Sequence, residues 1–247
     1  EMCIRDSLGT VYHLLSQEDV YELLKREDGR AWTAHARIKG STGFPDACKE
    51  TDWFLEAACK AMLADYSHDS LGWRVIDLQD DMANWGNKKY TIGEVDIFKI
   101  FKGYELFGII NINYLKLDSI PEYKDSWQPV IDVLSQGRFF VTTGEILIND
   151  FSIGGKESGG SLSKTQASGA NKLKASLEWT YPLDRLEVVS GDGNRIYRER
   201  VSLIDTKEFG KRDLALDVDL SDRKWARFEV WDIAKNGAFT QPVWIEN

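Results

Sequence analysis

The stretch Leu214-Ala215-Leu216-Asp217-Val218-Asp219-Leu220 alternates without a break. Successive side chains of an extended chain point to opposite faces. Leu214, Leu216, Val218 and Leu220 therefore line one face, and Ala215, Asp217 and Asp219 the other, as in an antiparallel sheet with one wet side. Outward from this stretch, short apolar or β-branched runs lie at 139–141, 146–153, 173–181, 186–190, 194–203, 225–231 and 242–245, separated by turn residues. That spacing predicts an all-β sandwich over 138–247. In 225–231, Trp225, Arg227, Glu229 and Trp231 share one face and Ala226, Phe228 and Val230 the other, so the two indoles read as packing residues at the sandwich surface rather than as a sugar platform. The Gly/Ser/Lys-rich stretch 154–171 reads as a long mobile loop.

Toward the N-terminus the period changes. A β-branched run at 10–15, an N-cap with an acidic first turn at Ser16-Gln17-Glu18-Asp19, a helix to about Arg26 and a second strand at 31–35 spell β-α-β, a unit that builds parallel sheets. A turn-rich loop at 40–46 follows, just past a strand end, where α/β folds bind ligands. Phe54, Ala57, Ala58 and Ala61 mark an amphipathic helix, and 74–78 and 91–100 read as strands. The nearly continuous apolar run 106–117 has the character of a strand buried on both faces. Ser126 caps a short helix with Val130, Ile131, Val133 and Leu134 on its apolar face, and Gly137 stands where a terminating glycine belongs. The domain boundary is placed there, with an α/β part over 8–137. Residues 1–7, Glu1 to Ser7, resemble a translated sequencing adaptor and are read as foreign to the fold.

Of 247 residues, 43% are hydrophobic and 12% aromatic, enough to bury a core, which excludes a disordered or fibrous chain. Forty acids against thirty-one bases leave a formal charge of −9, a field that repels phosphate backbones, so nucleic acid is not the expected partner. The longest apolar run, 106–115, is about half of the ~20 residues of a membrane helix, so no membrane span is expected. Cys3, Cys48 and Cys59 form no CxxC and no Cys/His cluster.

Two places carry chemistry-bearing residues. In Thr33-Ala34-His35-Ala36-Arg37-Ile38-Lys39-Gly40, a histidine ends a strand and two cations follow at a spacing of two. An imidazole at a strand end can bind a divalent metal, and Arg37 and Lys39 can hold an anionic substrate group; the competing reading is a hydrogen-bonded structural histidine beside a solvated loop. In Gly93-Glu94-Val95-Asp96-Ile97-Phe98, Glu94 and Asp96 share one face of a strand and can ligate metal, against the competing reading of an ordinary wet face. His68 reads as a turn residue and His13 as packing. Asp80 and Asp81 carry a weaker signal toward the same rim.

Three motifs resemble the C-terminal part of PHP-superfamily (polymerase and histidinol phosphatase) metallohydrolases, in the CehA/McbA-like branch. Ala34-His35 is similar to the family's late Ala-His ligand, with Ala36 where proline is usual. Gly137-Arg138-Phe139-Phe140-Val141-Thr142-Thr143-Gly144 resembles the passage that leads out of the barrel. Leu186 to Gly193 and Ala238 to Ile245 are similar to strands of the following sandwich. The resemblance implies the C-terminal part of a distorted (β/α)7 barrel followed by an immunoglobulin-like β-sandwich, with the barrel's earlier ligands upstream of Thr10 and this chain an N-terminally truncated fragment. It also implies two or three divalent ions (Zn, Mn or Fe) whose bound hydroxide attacks a phosphoester or related small-molecule ester. His35, Asp96 and Glu94 are the implied metal ligands and Arg37 and Lys39 the substrate-binding residues. Where the family has Asp-x-His, this chain has Asp96-Ile97-Phe98, and Phe98 cannot ligate. Either the site is rebuilt with Glu94 or Glu105, or the protein is a non-catalytic scaffold or a carbohydrate or cell-surface binding protein.

Overall fold

The computed structural model describes residues 4–5, 11–12, 17–27, 32–33, 54–56, 76–93 and 111–247. The N-terminal elements are β1 (Ile4–Arg5), β2 (Val11–Tyr12), α1 (Gln17–Arg26), β3 (Trp32–Thr33), β4 (Phe54–Glu56), α2 (Asp77–Asn84), β5 (Tyr90–Ile92), β6 (Ile112–Leu115) and α3 (Gln128–Ser135). Then come β7 (Phe139–Thr142), β8 (Ile146–Ile153), β9 (Ser161–Ser163), α4 (Lys164–Ala167), β10 (Asn171–Trp179), β11 (Leu183–Gly191), β12 (Ile196–Ser202), β13 (Gly210–Val218), β14 (Trp225–Asp232), β15 (Gly237–Thr240) and β16 (Val243–Glu246).

Two sheets face each other. The larger runs β12-β11-β14-β15-β7-β6, with β16 and β9 added at β14, and the smaller runs β13-β10-β8. The alternation around Leu214 sets the smaller sheet: Val218 and Leu220 are buried, Leu214 and Leu216 pack against the same core, and Ala215 and Asp217 face water. Ala226, Phe228 and Val230 of β14 meet Leu173, Ala175 and Leu177 of β10 in that core, and Phe151 stacks on Phe228 at 5.7 Å. This is a β-sandwich.

β14 is buried at every position from Trp225 to Asp232, so the larger sheet is covered on both faces. A second apolar cluster lies on its outer side, where Trp225, Trp231, Val141 and Phe239 meet Ile76, Ala83 and Tyr90. Between these apolar groups sits a buried ion network. Asp77 and Asp80, one turn apart on α2, share a helix face that is laid on the sheet. Asp80 accepts a two-pronged contact from Arg227 (Nε 2.6 Å, Nη2 2.8 Å), and Arg227 also donates to Glu229 at 2.7 Å, all three being wholly inaccessible. Arg198 reaches Asp77 at 2.7 Å and Asp80 at 2.8 Å, and Glu187 takes Arg185 at 2.8 Å and Arg200 at 2.9 Å. Burial pushes the Asp80 carboxyl up, while Arg227 and Arg198 pull it back down.

The barrel expectation is corrected by the strand directions. The described residues form mainly antiparallel sheets with few helices, which no (β/α)7 barrel does. The apolar run 106–117 contributes not a doubly buried parallel strand but β6, a half-buried strand antiparallel to β7. Two asparagines, Asn111 and Asn113, break its apolar continuity, and Asn113 is engaged with the backbone of Gly93. The sandwich part of the expectation agrees with the two facing sheets, whose pairing is antiparallel apart from the short parallel pair β9–β16. Locally, 54–56 is strand where a helix is expected, and Asp77 and Leu78 open a helix where a strand is expected. The stretch 154–171 is not a bare loop. It holds β9 and α4, whose Ser163 and Gln166 form a reciprocal capping box.

Two outcomes check this description. Asp80→Asn strips Arg227 of one of its two buried carboxylates and Arg198 of one partner, and urea unfolding is expected to show a loss of about 3 kcal/mol, whereas Lys172→Ala, which removes an exposed pair with Asp217, costs under about 1 kcal/mol. At the β11–β12 turn, the amides of Arg195 and Asn194 and the Tyr197 hydroxyl hold the Asp192 carboxyl at about 2, from 3.8. The stability it adds is complete above pH 3.8 and is lost as the pH falls through about 2. An NMR titration of the Asn194 and Arg195 amides is expected to show that low midpoint.

Candidate functional site

Three short strands run parallel in the order β3-β4-β5, with Trp32 opposite Phe54, Phe54 opposite Tyr90 and Glu56 opposite Ile92. Parallel registration brings the C-terminal ends of all three to one edge of the sheet, which is where open α/β sheets place their ligands. Leaving β3 at Thr33 the chain reads Ala34-His35, and leaving β5 at Ile92 it reads Gly93-Glu94-Val95-Asp96. The sequence-predicted residues His35, Arg37, Lys39, Glu94 and Asp96, together with Phe98 and Glu105, lie outside the described residues, as do His13 and His68. The two strands that lead to His35 and Glu94 are described, and β4 separates them by one strand.

One edge of β5 pairs with β4, and the other is held by side chains of the sandwich region. Gln241 accepts from the Thr91 amide at 3.0 Å and donates to the Thr91 carbonyl at 3.0 Å. Asn113 does the same for Gly93, accepting at 2.8 Å and donating at 2.8 Å. A primary carboxamide can set one of its two N–H donors beside its carbonyl oxygen and so meet a residue's own C=O and N–H together, which lets Gln241 and Asn113 stand in for residues of a neighbouring strand. Gln79 of α2 donates to the same Gln241 oxygen at 2.8 Å, tying the helix into the arrangement. Gly93 has no side chain because a Cβ there would strike Asn111 and Val141, and Gly137, at φ +68°, lies flat against the Tyr90 ring. Tyr90 also meets Trp244 edge-on at 6.4 Å.

This seating was not readable from the sequence. Gln241 stands before a proline and Asn113 inside an apolar run, and neither position signals a backbone-binding amide. Asp80, weighed as a rim residue, instead belongs to the buried network with Arg227. Trp225 and Trp231 are buried, in line with the packing reading of β14. Among the described residues no group of three or more His, Cys, Asp or Glu is arranged to hold a metal ion, and no helix among them is long and apolar enough to cross a membrane. Comparison with protein-family models, with curated proteins and with solved structures returns no match.

Gln241→Ala leaves the buried amide and carbonyl of Thr91 without partners. Thermal unfolding followed by circular dichroism is expected to show a loss of about 1–3 kcal/mol, and hydrogen exchange at Thr91 is expected to rise more than exchange in β10.

Proposed function

We propose that the chain belongs to a metal-dependent hydrolase acting on phosphoesters or related esters, with His35, Glu94 and Asp96 as metal ligands and Arg37 and Lys39 receiving the substrate's anionic group. The observation that supports this reading is the parallel register of β3 to β5. It ends Thr33 and Ile92 at one edge, each two residues before a candidate ligand in the sequence. One imidazole and two carboxylates form a donor set suited to Zn, Mn or Fe. A divalent ion, alone or as one of two or three, supplies a coordinated water of lowered pKa and stabilises charge on the attacked ester. The resemblance to PHP hydrolases points to the same chemistry, here without their barrel. Phe98, where that family has a histidine, leaves Glu94 as the compensating ligand of the proposal.

The chain's own residues divide the work. The amides of Gln241 and Asn113 hold the strand that delivers Glu94, and a ligand set kept in place this way loses less entropy when an ion binds. Arg37 presents a planar fork and Lys39 a point charge to an anionic group.

In the full-length protein, since the fragment alone is expected to be inactive, metal content by inductively coupled plasma mass spectrometry and turnover of bis(p-nitrophenyl) phosphate test the reading together. His35→Ala and Glu94→Gln are each expected to lower metal affinity at least about tenfold and to remove turnover. Arg37→Ala is expected to raise KM with the metal retained. Unchanged metal content and turnover in His35→Ala would overturn the assignment.

A further inference from the structure

Three connections meet at one end of the sandwich: residues 180–182 between β10 and β11, 203–209 between β12 and β13, and 233–236 between β14 and β15. They are laced together. The Phe209 amide donates to the Thr180 carbonyl at 2.9 Å, the Ile233 amide to the Pro182 carbonyl at 3.0 Å, and the Leu183 amide to the Thr206 hydroxyl at 2.7 Å. The Trp179 indole donates to the Lys207 carbonyl at 2.6 Å, and the Asp232 carboxylate accepts from the Ala234 and Asn236 amides at 2.8 and 2.9 Å. These bonds fix the connections in place, so what they display is a built surface and not a frayed end.

That surface is apolar. Phe209 is 80% exposed, Ile204 74%, Ile233 59% and Tyr181 45%. Phe209 also sits at φ +51°, a left-handed conformation that penalises a bulky side chain and that glycine or asparagine adopts more readily. Strain and exposure both work against the stability of the chain by itself, and their coincidence at one residue points to a surface that meets something else. With roughly 150–250 Å² on a side chain of this size, the four residues present on the order of 400–500 Å², short of the ~800 Å² that each partner of a stable protein complex buries. On these connections Asp205 is paired with Arg212. Among the described residues, the exposed charges left outside ion pairs there are Lys207 and Lys235 against Glu208, a net cation.

We propose that this end of the sandwich docks on a lipid bilayer, with Ile204, Phe209 and Ile233 entering the boundary between headgroups and acyl chains, Tyr181 at headgroup level, and Lys207 and Lys235 against lipid phosphates. A fluid boundary takes in separate side chains from separate loops without a shape-matched partner. A patch of this size therefore serves for lipid where it falls short for a second copy of the chain. Tyrosine joins an apolar ring to a polar tip and lysine an apolar stem to a charged head, and both combinations fit that layer. Apolar insertion is the main term, because the chain's overall charge of −9 is repelled by anionic lipid while the two lysines work locally the other way. The contact is attachment at a surface and not a span, and it uses none of the residues proposed for hydrolysis.

Flotation of the 247-residue chain with vesicles of phosphatidylcholine alone, and of phosphatidylcholine mixed with phosphatidylglycerol, tests the proposal. The chain is expected to float with both. Phe209→Asn removes the ring and suits the left-handed backbone, so it is expected to weaken binding about tenfold with a melting temperature unchanged or raised. A residue that served folding alone would show the reverse pattern. Ile233→Ser, on a different connection, is expected to weaken binding in the same direction, and Lys207→Glu combined with Lys235→Glu to weaken it at least about fivefold on the mixed vesicles. Three results would each overturn the proposal: no flotation with phosphatidylcholine vesicles, flotation unchanged in Phe209→Asn, or a lipid-free association of copies in sedimentation velocity that Phe209→Asn abolishes, which would make a second copy the occupant.

Discussion

The contact on which the arrangement turns is the two-pronged pair between Arg227 and Asp80, closed off from water on both sides. Placing a guanidinium in the middle of a buried strand is costly, because it loses its hydration and keeps its charge. The cost is offset only if every donor finds an acceptor. Here Asp80 takes two of them and Glu229 a third, and the Trp231 indole completes Glu229 at 3.1 Å. Such a pair adds little net stability over a well-packed apolar substitute, but it tolerates no other docking position. An α2 rotated about half a turn on its axis would turn Leu78 and Met82 rather than Asp80 toward Arg227. The network thus specifies where residues 76–93 sit on the sheet, while Trp225, Tyr90 and Ile76 supply the apolar burial that holds them there.

A fixed α2 has a consequence further along the chain. Gln79, one residue before Asp80, donates to Gln241, and Gln241 grips Thr91. Charge pairing in the helix, amide pairing in the strand and the edge contact between Tyr90 and Trp244 form one connected set. The end of β5 is therefore positioned by side chains that also belong to the sandwich, rather than by a sheet neighbour on that edge. Carboxamides suit the role: they bond to backbone in both directions and carry no charge that would need a partner.

Much of the sandwich was legible because its strands are regular. The alternation from Leu214 to Leu220 and the division of β14 into Trp225, Arg227, Glu229 and Trp231 on one face against Ala226, Phe228 and Val230 on the other are both present in the fold. What alternation does not convey is how the second face is covered. Alternation sets Arg227 and Glu229 on one face but does not show the helix, with Asp77 and Asp80 on one side, that is laid across them. The short elements failed for local reasons. Phe54-Leu55-Glu56 has no periodicity of its own and is strand by pairing with Trp32 and Tyr90. Asp77 and Leu78 follow β-branched neighbours yet start a helix, because its acidic first turn finds two arginines. Ser163-Lys164-Thr165-Gln166 carries a capping-box pattern that polar composition obscured. The site was legible only as residue types at strand ends, since spacing alone does not reveal which strands lie side by side.

The double burial of the large sheet also constrains where this protein can meet ligands. Among the described residues, its inner face is filled by the shared core, and at β14 its outer face is covered by α2, β5 and the ion network. Under the proposed function, chemistry sits where parallel strands stop, at the common C-terminal edge of β3 to β5, and there parallel direction gathers the ends while side chains of the sandwich, Gln241 and Asn113, hold the last strand in place.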